Sequence, residues 1–146
     1  MKFQSEIIIN KPVREVFKYT LDIKNLSRWI DGFQKYKVVS GKARKPGSIG
    51  MHIYKDEGGE LEVREEVLDI EMNKLISTRL SHKNMETTLN FRFLDQGNAT
   101  KIIADTQVRL KPMIFNLAAP FVKSPMKKQQ ASDLERLKNC LERLKK

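Results

Sequence analysis

The sequence has few of the residues on which disulfide and metal chemistry depend. Its 146 residues include one cysteine, Cys140, and two histidines, His52 and His82. A single cysteine excludes a disulfide within the chain. The histidines lie far apart and belong to no HExxH or CxxC pattern, so we expect no metal site. No glycine-rich loop has the pattern of a phosphate cradle, and we expect no cofactor.

Long apolar runs are also missing. The longest, residues 112–122, is interrupted by Asn116 and Pro120 and is shorter than the ~18 residues that a bilayer crossing needs. The N-terminal residues do not contain the apolar stretch of a signal peptide. Together with the single cysteine, these features predict a cytoplasmic location.

Charge of one sign predominates. The chain has 28 lysines and arginines against 18 aspartates and glutamates, a formal net charge of +10. The basic clusters are spread along the chain and, on the last helix, lie opposite its apolar stripe: Lys42, Arg44, Lys45, Lys127, Lys128, Arg143, Lys145 and Lys146. We interpret them as a solvated surface and expect no nucleic-acid partner, with attraction to an anionic membrane surface as the alternative.

Turn residues divide the middle of the chain into short segments with strand character. The alternation of apolar and polar residues is clearest in the last two segments. Leu89, Phe91 and Phe93 lie on one face of the first of these, and Ile102 and Ala104 lie on one face of the second. The predicted strands are residues 3–9, 33–40, 48–55, 60–70, 75–81, 85–94 and 99–110. Two short helices are predicted between the first two strands, the first capped by Asn10 with Pro12 in its first turn.

The end of the chain predicts a long amphipathic helix starting at about Pro112. Its final leucines are spaced by three, four and three residues and fall on one stripe: Leu134, Leu137, Leu141 and Leu144. The two short helices are too small to cover the sheet, so this helix must do so. The sequence therefore predicts a single α+β domain over residues 1–146, with a curved antiparallel sheet of about seven strands packed on one long helix.

Pro120 and Pro125 fall within this helix, and each favours a kink or a break there. One interpretation is a separate short helix or loop before about Ser124. The other is a gate over a cavity, or a segment that dips into a membrane surface.

Several segments, taken in order, resemble the SRPBCC superfamily, which includes START-like, polyketide-cyclase-like and birch-pollen-allergen-like domains. They are residues 10–17 followed by Trp29, and then residues 46–51, 65–70, 91–100 and 133–138. The resemblance covers the whole chain and implies a helix-grip fold with an internal, largely apolar cavity. Known roles in this superfamily range from lipid carriage and hormone sensing to aromatic cyclisation, so membership alone does not fix a function.

A cavity between the sheet and the long helix has a predictable set of wall residues. We expect the lining to include Trp29, Met51, Ile53, Val63, Glu65, Leu89, Phe91, Thr106, Phe121, Met126 and Gln130. Trp29 is interpreted either as a core residue or as the wall of an entrance. Gln130 lies on the apolar seam of the helix, so its amide either bonds a strand or faces the cavity.

Acid–base candidates are few. Alternation places Glu65 on the dry side of its strand with Leu61 and Val63. A carboxylate there would have a raised pKa and could act as a base, unless a bulge turns it outward or an arginine pairs with it. His52 is expected to face solvent or the cavity rim, and Cys140 to be a small packing residue, because nothing pairs it with a base.

We expect a non-catalytic protein, monomer or homodimer, that binds a small hydrophobic molecule such as a lipid or an aromatic or isoprenoid metabolite. The first alternative is a cyclase- or dehydratase-like enzyme in which Glu65, His52 or Tyr54 is the acid or base. The second, suggested by one branch of the superfamily, is an accessory factor of a chaperone ATPase.

Overall fold

In the part of the chain that the structure describes, the fold is a seven-stranded antiparallel sheet with three helices. A computed structural model describes the backbone of residues 1–110 and 112–144, while the side chains of Asp56 and of residues 112–122 lie outside the described set. In chain order the elements are β1 Lys2–Ile9, α1 Val13–Leu21, α2 Ile23–Trp29, β2 Phe33–Ser40, β3 Ile49–Asp56, β4 Gly59–Glu71, β5 Leu75–His82, β6 Met85–Asp95, β7 Thr100–Leu110 and α3 Pro112–Glu142.

Strands that are neighbours in the sheet are also consecutive in the chain, except at one edge, where β1 lies beside β7. Their spatial order is β1-β7-β6-β5-β4-β3-β2, and every neighbouring pair is antiparallel. The first two strands are therefore at opposite edges, and α1 and α2 carry the chain from one edge to the other. The predicted α+β helix-grip fold is confirmed, and each predicted strand end lies within one residue of its observed position.

The observed start of α1 differs from its prediction in the residue that caps the helix. Pro12 is the N-cap of α1, and it makes no side-chain capping bond. Asn10 instead uses its backbone N–H, which donates to Oε2 of Glu142 at 2.8 Å, so the predicted Asn10 cap is wrong. In α2 the side chain of Asp22 caps the helix by accepting from the backbone N–H of Lys24.

The long helix α3 is held to the sheet by its leucines. Leu134, Leu137 and Leu141 are at most 1% exposed and belong to one core cluster with residues of β1, α1, α2, β6 and β7. Leu144 follows the end of the helix and is 43% exposed, so the buried stripe contains three leucines rather than four. The helix is continuous through Pro120 and Pro125, and the predicted separate short helix is not observed.

The two faces of the sheet differ in polarity. The outer face bears ion pairs between neighbouring strands, including Arg79 with Glu66 at 3.0 Å and Arg92 with Asp105 at 2.9 Å. The inner face is dry where α1, α2 and the end of α3 cover it. None of the described helices has the length and apolar character that crossing a membrane requires.

Candidate functional site

A cavity of about 670 Å³ lies between the inner face of the sheet and α3. Its volume falls in the range of ~300–1,000 Å³ typical of small-molecule sites. The wall is mainly apolar, with contributions from α2, the five strands β3 to β7 and α3. Its apolar members include Leu26, Trp29, Ile30, Leu61, Val63, Ile76, Leu80, Met85, Leu89, Phe91, Met126 and Leu134.

Eight of the eleven predicted wall residues lie in this wall. They are Trp29, Val63, Glu65, Leu89, Phe91, Thr106, Met126 and Gln130. The side chain of Phe121 lies outside the described residues. Met51 and Ile53 do not line the cavity, and for these two the expectation is wrong.

The error at Met51 and Ile53 has a physical reason. The prediction for β3 places its apolar residues inward. The continuous register between β3 and β4 instead places His52 and Tyr54 on the cavity side, opposite the inward-facing Val63 and Leu61 of β4. Ile53 is buried on the other face of the strand. His52 and Tyr54 face inward here in contact with each other, and His52 also contacts Glu65.

Trp29 and Gln130 each show features of both roles that the sequence left open for them. Trp29 is 6% exposed and packs against Phe91, with ring centroids 6.1 Å apart, and it also forms part of the cavity wall. The amide Nε2 of Gln130 donates to Oγ1 of Thr106 on β7 at 2.7 Å. Gln130 thus bonds a strand while contributing to the same wall.

The polar end of the cavity is centred on Glu65, which is 2% exposed. Nη1 of Arg44 lies 3.2 Å from its Oε2 atom, and the hydroxyl of Tyr36 donates to its Oε1 atom at 3.0 Å. The sequence predicts that Arg44 belongs to a solvated cluster, but it is 9% exposed, so that prediction is wrong. The dry-side placement of Glu65 is observed, and the pairing with an arginine stabilises its charge there.

His52 extends this network to Tyr54. Its Nε2 atom lies 3.1 Å from Oε2 of Glu65, and its Nδ1 atom lies 3.0 Å from the hydroxyl of Tyr54. The Nε2–H bond is off the line to Oε2, so this contact has the distance but not the alignment of a strong hydrogen bond. The Phe33 ring packs edge-on against both His52 and Tyr54 and holds their planes.

The pKa values of the ionisable groups at this end of the cavity follow from their burial and from their contacts with one another. Burial acts to raise the pKa of Glu65, but its contacts with His52, Arg44 and Tyr36 outweigh burial, and the pKa is lowered. Of the alternatives left open for Glu65, the pairing with an arginine is therefore the one observed, and its pKa is not raised. Burial and the negative charge of Glu65 raise the pKa values of both Tyr36 and Tyr54, so these phenols stay protonated.

Two backbone features place these side chains. Arg44 adopts a left-handed conformation with φ of 60°, which is uncommon for a residue with a Cβ atom. Its loop is fixed to β4, because Gly47 N–H donates to Val67 O and Val67 N–H donates to Ser48 O. At Gly50 a Cβ atom would overlap the ring of Tyr36, so glycine is needed for Tyr36 to cross β3 and reach Glu65.

The exposed residues of the cavity wall lie on α3, in the turn after α2 and in the β3–β4 hairpin: Asp31, Lys55, Glu57 and Gln129. Asp133 of α3 ties this region together by accepting from the backbone N–H of Asp31 at 3.2 Å and from Nε2 of Gln129 at 2.9 Å. Burial raises the pKa of Asp133.

Sequence reasoning missed Arg44 and Tyr36, and it placed His52 less deeply than the structure does. Arg44 carries no local signal, since it is 21 residues from Glu65 and lies in a loop. A signal for Tyr36 was present, because Gly50 in a strand indicates a close approach by another group. Across the part of the chain that is described, no cluster of three or more His, Cys, Asp or Glu side chains could hold a metal ion.

A long C-terminal helix that crosses a curved antiparallel sheet over a cavity defines a helix-grip protein. The chain belongs to the family described as polyketide cyclase / dehydrase and lipid transport, whose model matches residues 1–142. This places it in the SRPBCC superfamily, as the resemblance in the sequence predicted. A search of curated protein sequences found no significant match.

Solved structures with the same fold are distant in sequence. The protein TTHA0849 from Thermus thermophilus is 16% identical, with 97% of each chain covered and a TM-score of 0.78. Ara h 8.0201 is 14% identical, with 97% of each chain covered and a TM-score of 0.79. The di-domain ARO/CYC protein StfQ from the steffimycin biosynthetic pathway is 12% identical over 97% of this chain and 50% of its own, with a TM-score of 0.78.

Proposed function

We propose that this protein binds a small, mainly apolar molecule in the cavity between its sheet and α3. The observation that carries the proposal is the cavity itself, with a volume of about 670 Å³ lined by mostly apolar side chains. Filling such a space with an apolar guest removes apolar surface from water, at about 25 cal/mol per Å². The family description, which names lipid transport and cyclisation, and the StfQ relative are consistent with a ligand of this kind.

The cavity lining suits a ligand that is mainly apolar and carries a few oxygen atoms. Threonines 78, 87 and 106 bring hydroxyl groups to the inner face of β5, β6 and β7. Arg44 and Glu65 neutralise each other, so the buried polar end of the cavity offers no strong attraction to an ionic ligand. An aromatic, isoprenoid or lipid molecule with hydroxyl or carbonyl groups matches these features better than a highly charged metabolite.

Titration with the neutral fluorophore Nile red tests this proposal, because a neutral dye is not attracted by the net charge of +10. Leu89→Trp fills the cavity from β6 and should weaken dye binding at least about tenfold, a loss of ~1.4 kcal/mol. The matched control is Leu94→Trp on the same strand, since Leu94 is 41% exposed and outside the cavity wall. Equal dye binding by both variants would contradict the proposal.

Native mass spectrometry of the purified protein identifies the natural ligand. A mass excess that is released on denaturation, and that is absent from Leu89→Trp, is the expected result. A bare-chain mass together with no affinity for Nile red would oppose a binding role.

A further inference from the structure

The two edges of the sheet differ in what covers them. At the β1 edge, Nζ of Lys138 on α3 donates to the backbone carbonyl of Ile8 at 2.6 Å. At the other edge, the strand order leaves one side of β2 without a neighbour among the described strands. In the part of the chain that the structure describes, the backbone of residues 34–40 forms hydrogen bonds only with β3. An open edge of this kind can accept a further strand through main-chain hydrogen bonds.

The β2 edge carries charge of one sign. Residues 33–48, which form β2 and the loop after it, contain five basic residues and no acidic one. One of them, Arg44, is buried against Glu65. The other four are exposed and form no ion pair with any described residue: Lys35, Lys37, Lys42 and Lys45. A second copy of β2 on this edge would bring like charges together, so the charge disfavours self-pairing and favours an acidic partner.

The register between β2 and β3 defines the pattern that such a partner needs. Tyr36 is paired with the inward-facing His52, so Lys35 and Lys37, on either side of Tyr36, lie on the outer face. The register shifts just before Lys35 and just after Val38, and the residues between these shifts pair with β3 without a break. A strand added beside this stretch meets both lysines when it carries acidic residues two positions apart.

The inner face of the same stretch ends in an exposed apolar side chain. Val38 is paired with Gly50, which faces inward opposite Glu65, and Val38 is 50% exposed. Val39 follows it and is 61% exposed. β-branched side chains suit a paired strand. In an added strand, the residues that alternate with the acidic ones face the side of Val38, so apolar side chains at those positions would cover it.

We propose that β2 is a docking edge for an extended acidic segment of another protein, in which acidic and apolar residues alternate. The segment joins the sheet as a further strand. Its main chain bonds the open side of β2, and its carboxylates meet Lys35 and Lys37. The inference does not rest on the binding function proposed for the cavity, because every group that carries it lies at the edge of the sheet.

Fluorescence anisotropy with a labelled peptide of alternating glutamate and valine tests the proposal. The unmodified protein should bind this peptide, with an affinity that falls as salt screens the exposed charges. The double variant Lys35→Glu with Lys37→Glu should bind at least about tenfold more weakly. The matched control is Lys127→Glu with Lys128→Glu on α3, where both lysines are exposed. It changes the net charge by the same amount and should bind within about twofold of the unmodified protein.

Two further peptides separate strand addition from attraction by charge alone. The first has the same composition with its glutamates in one block, and so loses the alternation. The second has the alternating sequence with every peptide nitrogen methylated, and so loses its main-chain donors. Both should bind at least about tenfold more weakly than the alternating peptide. Amide hydrogen exchange of residues 34–40 should slow when the alternating peptide is bound.

Thermal unfolding verifies that both charge-reversed variants are folded. The proposal would be overturned by no binding to the unmodified protein, by equal binding of the methylated peptide, by equal losses in the two charge-reversed variants, or by unchanged exchange of residues 34–40. Analytical ultracentrifugation adds a further test. A dimer in which the same amides are protected without peptide would assign the edge to a second copy and overturn the proposal. Nile red binding in the cavity is measured separately, so failure here leaves the function proposed for the cavity intact.

Discussion

Nη1 of Arg44 lies 3.2 Å from Oε2 of Glu65, although one residue belongs to the β2–β3 loop and the other to β4. Both side chains are withdrawn from solvent, at 10% and 3% exposure. Removing two charges from water is costly, and their attraction offsets that cost only when their geometry is good and their other bonding positions are filled. At Glu65, the hydroxyl of Tyr36 fills one such position on Oε1, and Nε2 of His52 lies 3.1 Å from Oε2. The loop that carries Arg44 is thereby fixed to the wall of the cavity.

The first prediction concerns this pair. Glu65→Leu leaves the guanidinium of Arg44 buried without a partner and should lower the free energy of unfolding by about 3–5 kcal/mol. Arg44→Met together with Glu65→Leu should cost clearly less than Glu65→Leu alone, because no uncompensated charge is left. Urea denaturation of the four proteins in this cycle measures both effects. Additive losses would show that the two side chains do not interact.

The second prediction is a dependence of stability on pH. The pKa of Glu65 is lowered from its ordinary value of 4.5, so its ionised form favours the folded state. This contribution is complete above about pH 4.5 and is lost as pH falls through the lowered pKa of the folded protein. The difference in unfolding free energy between the unmodified protein and Glu65→Gln should therefore shrink in acid.

Denaturant titrations from pH 7 to pH 3 measure that difference. Asp133 acts in the opposite direction, because burial raises its pKa and acid favours its folded, protonated form. Comparison with Glu65→Gln cancels this effect, since Asp133 is present in both proteins. A difference that stays constant across the range would contradict the role assigned to Glu65.

The sequence predicted the sheet well because the information was local. Glycine, asparagine and aspartate mark the turns, and alternation assigns the inner faces of β6 and β7 correctly. The same rule failed at β3, where His52 and Tyr54 face inward, since an apolar criterion cannot recognise polar groups that contact one another inside the protein. The partner of Glu65 was unpredictable for a related reason. Arg44 meets it through the fold, across 21 residues, and nothing in the loop sequence indicates burial.

The third prediction follows from the close approach of Tyr36 to Gly50. Gly50→Ala introduces a methyl group where the Tyr36 ring lies, and a shift of the ring would break its hydrogen bond to Glu65. We expect a loss of about 1–3 kcal/mol in unfolding free energy. In a Tyr36→Ala background the same substitution should cost much less, because no ring is present to clash. Equal costs in the two backgrounds would show that the Tyr36 ring is not what excludes a side chain at position 50.

The last prediction separates the leucines of the C-terminal stripe. Leu137 is fully buried in the core cluster, so Leu137→Ala should lower the free energy of unfolding by about 2–5 kcal/mol through lost burial and a residual cavity. Leu144 is 43% exposed beyond the end of α3, and Leu144→Ala should change stability by no more than about 0.5 kcal/mol. Chemical denaturation of the two variants makes the comparison. Since the two leucines share the same apolar periodicity, similar losses would contradict the distinction and would mean that all four leucines hold the C-terminal segment to the sheet.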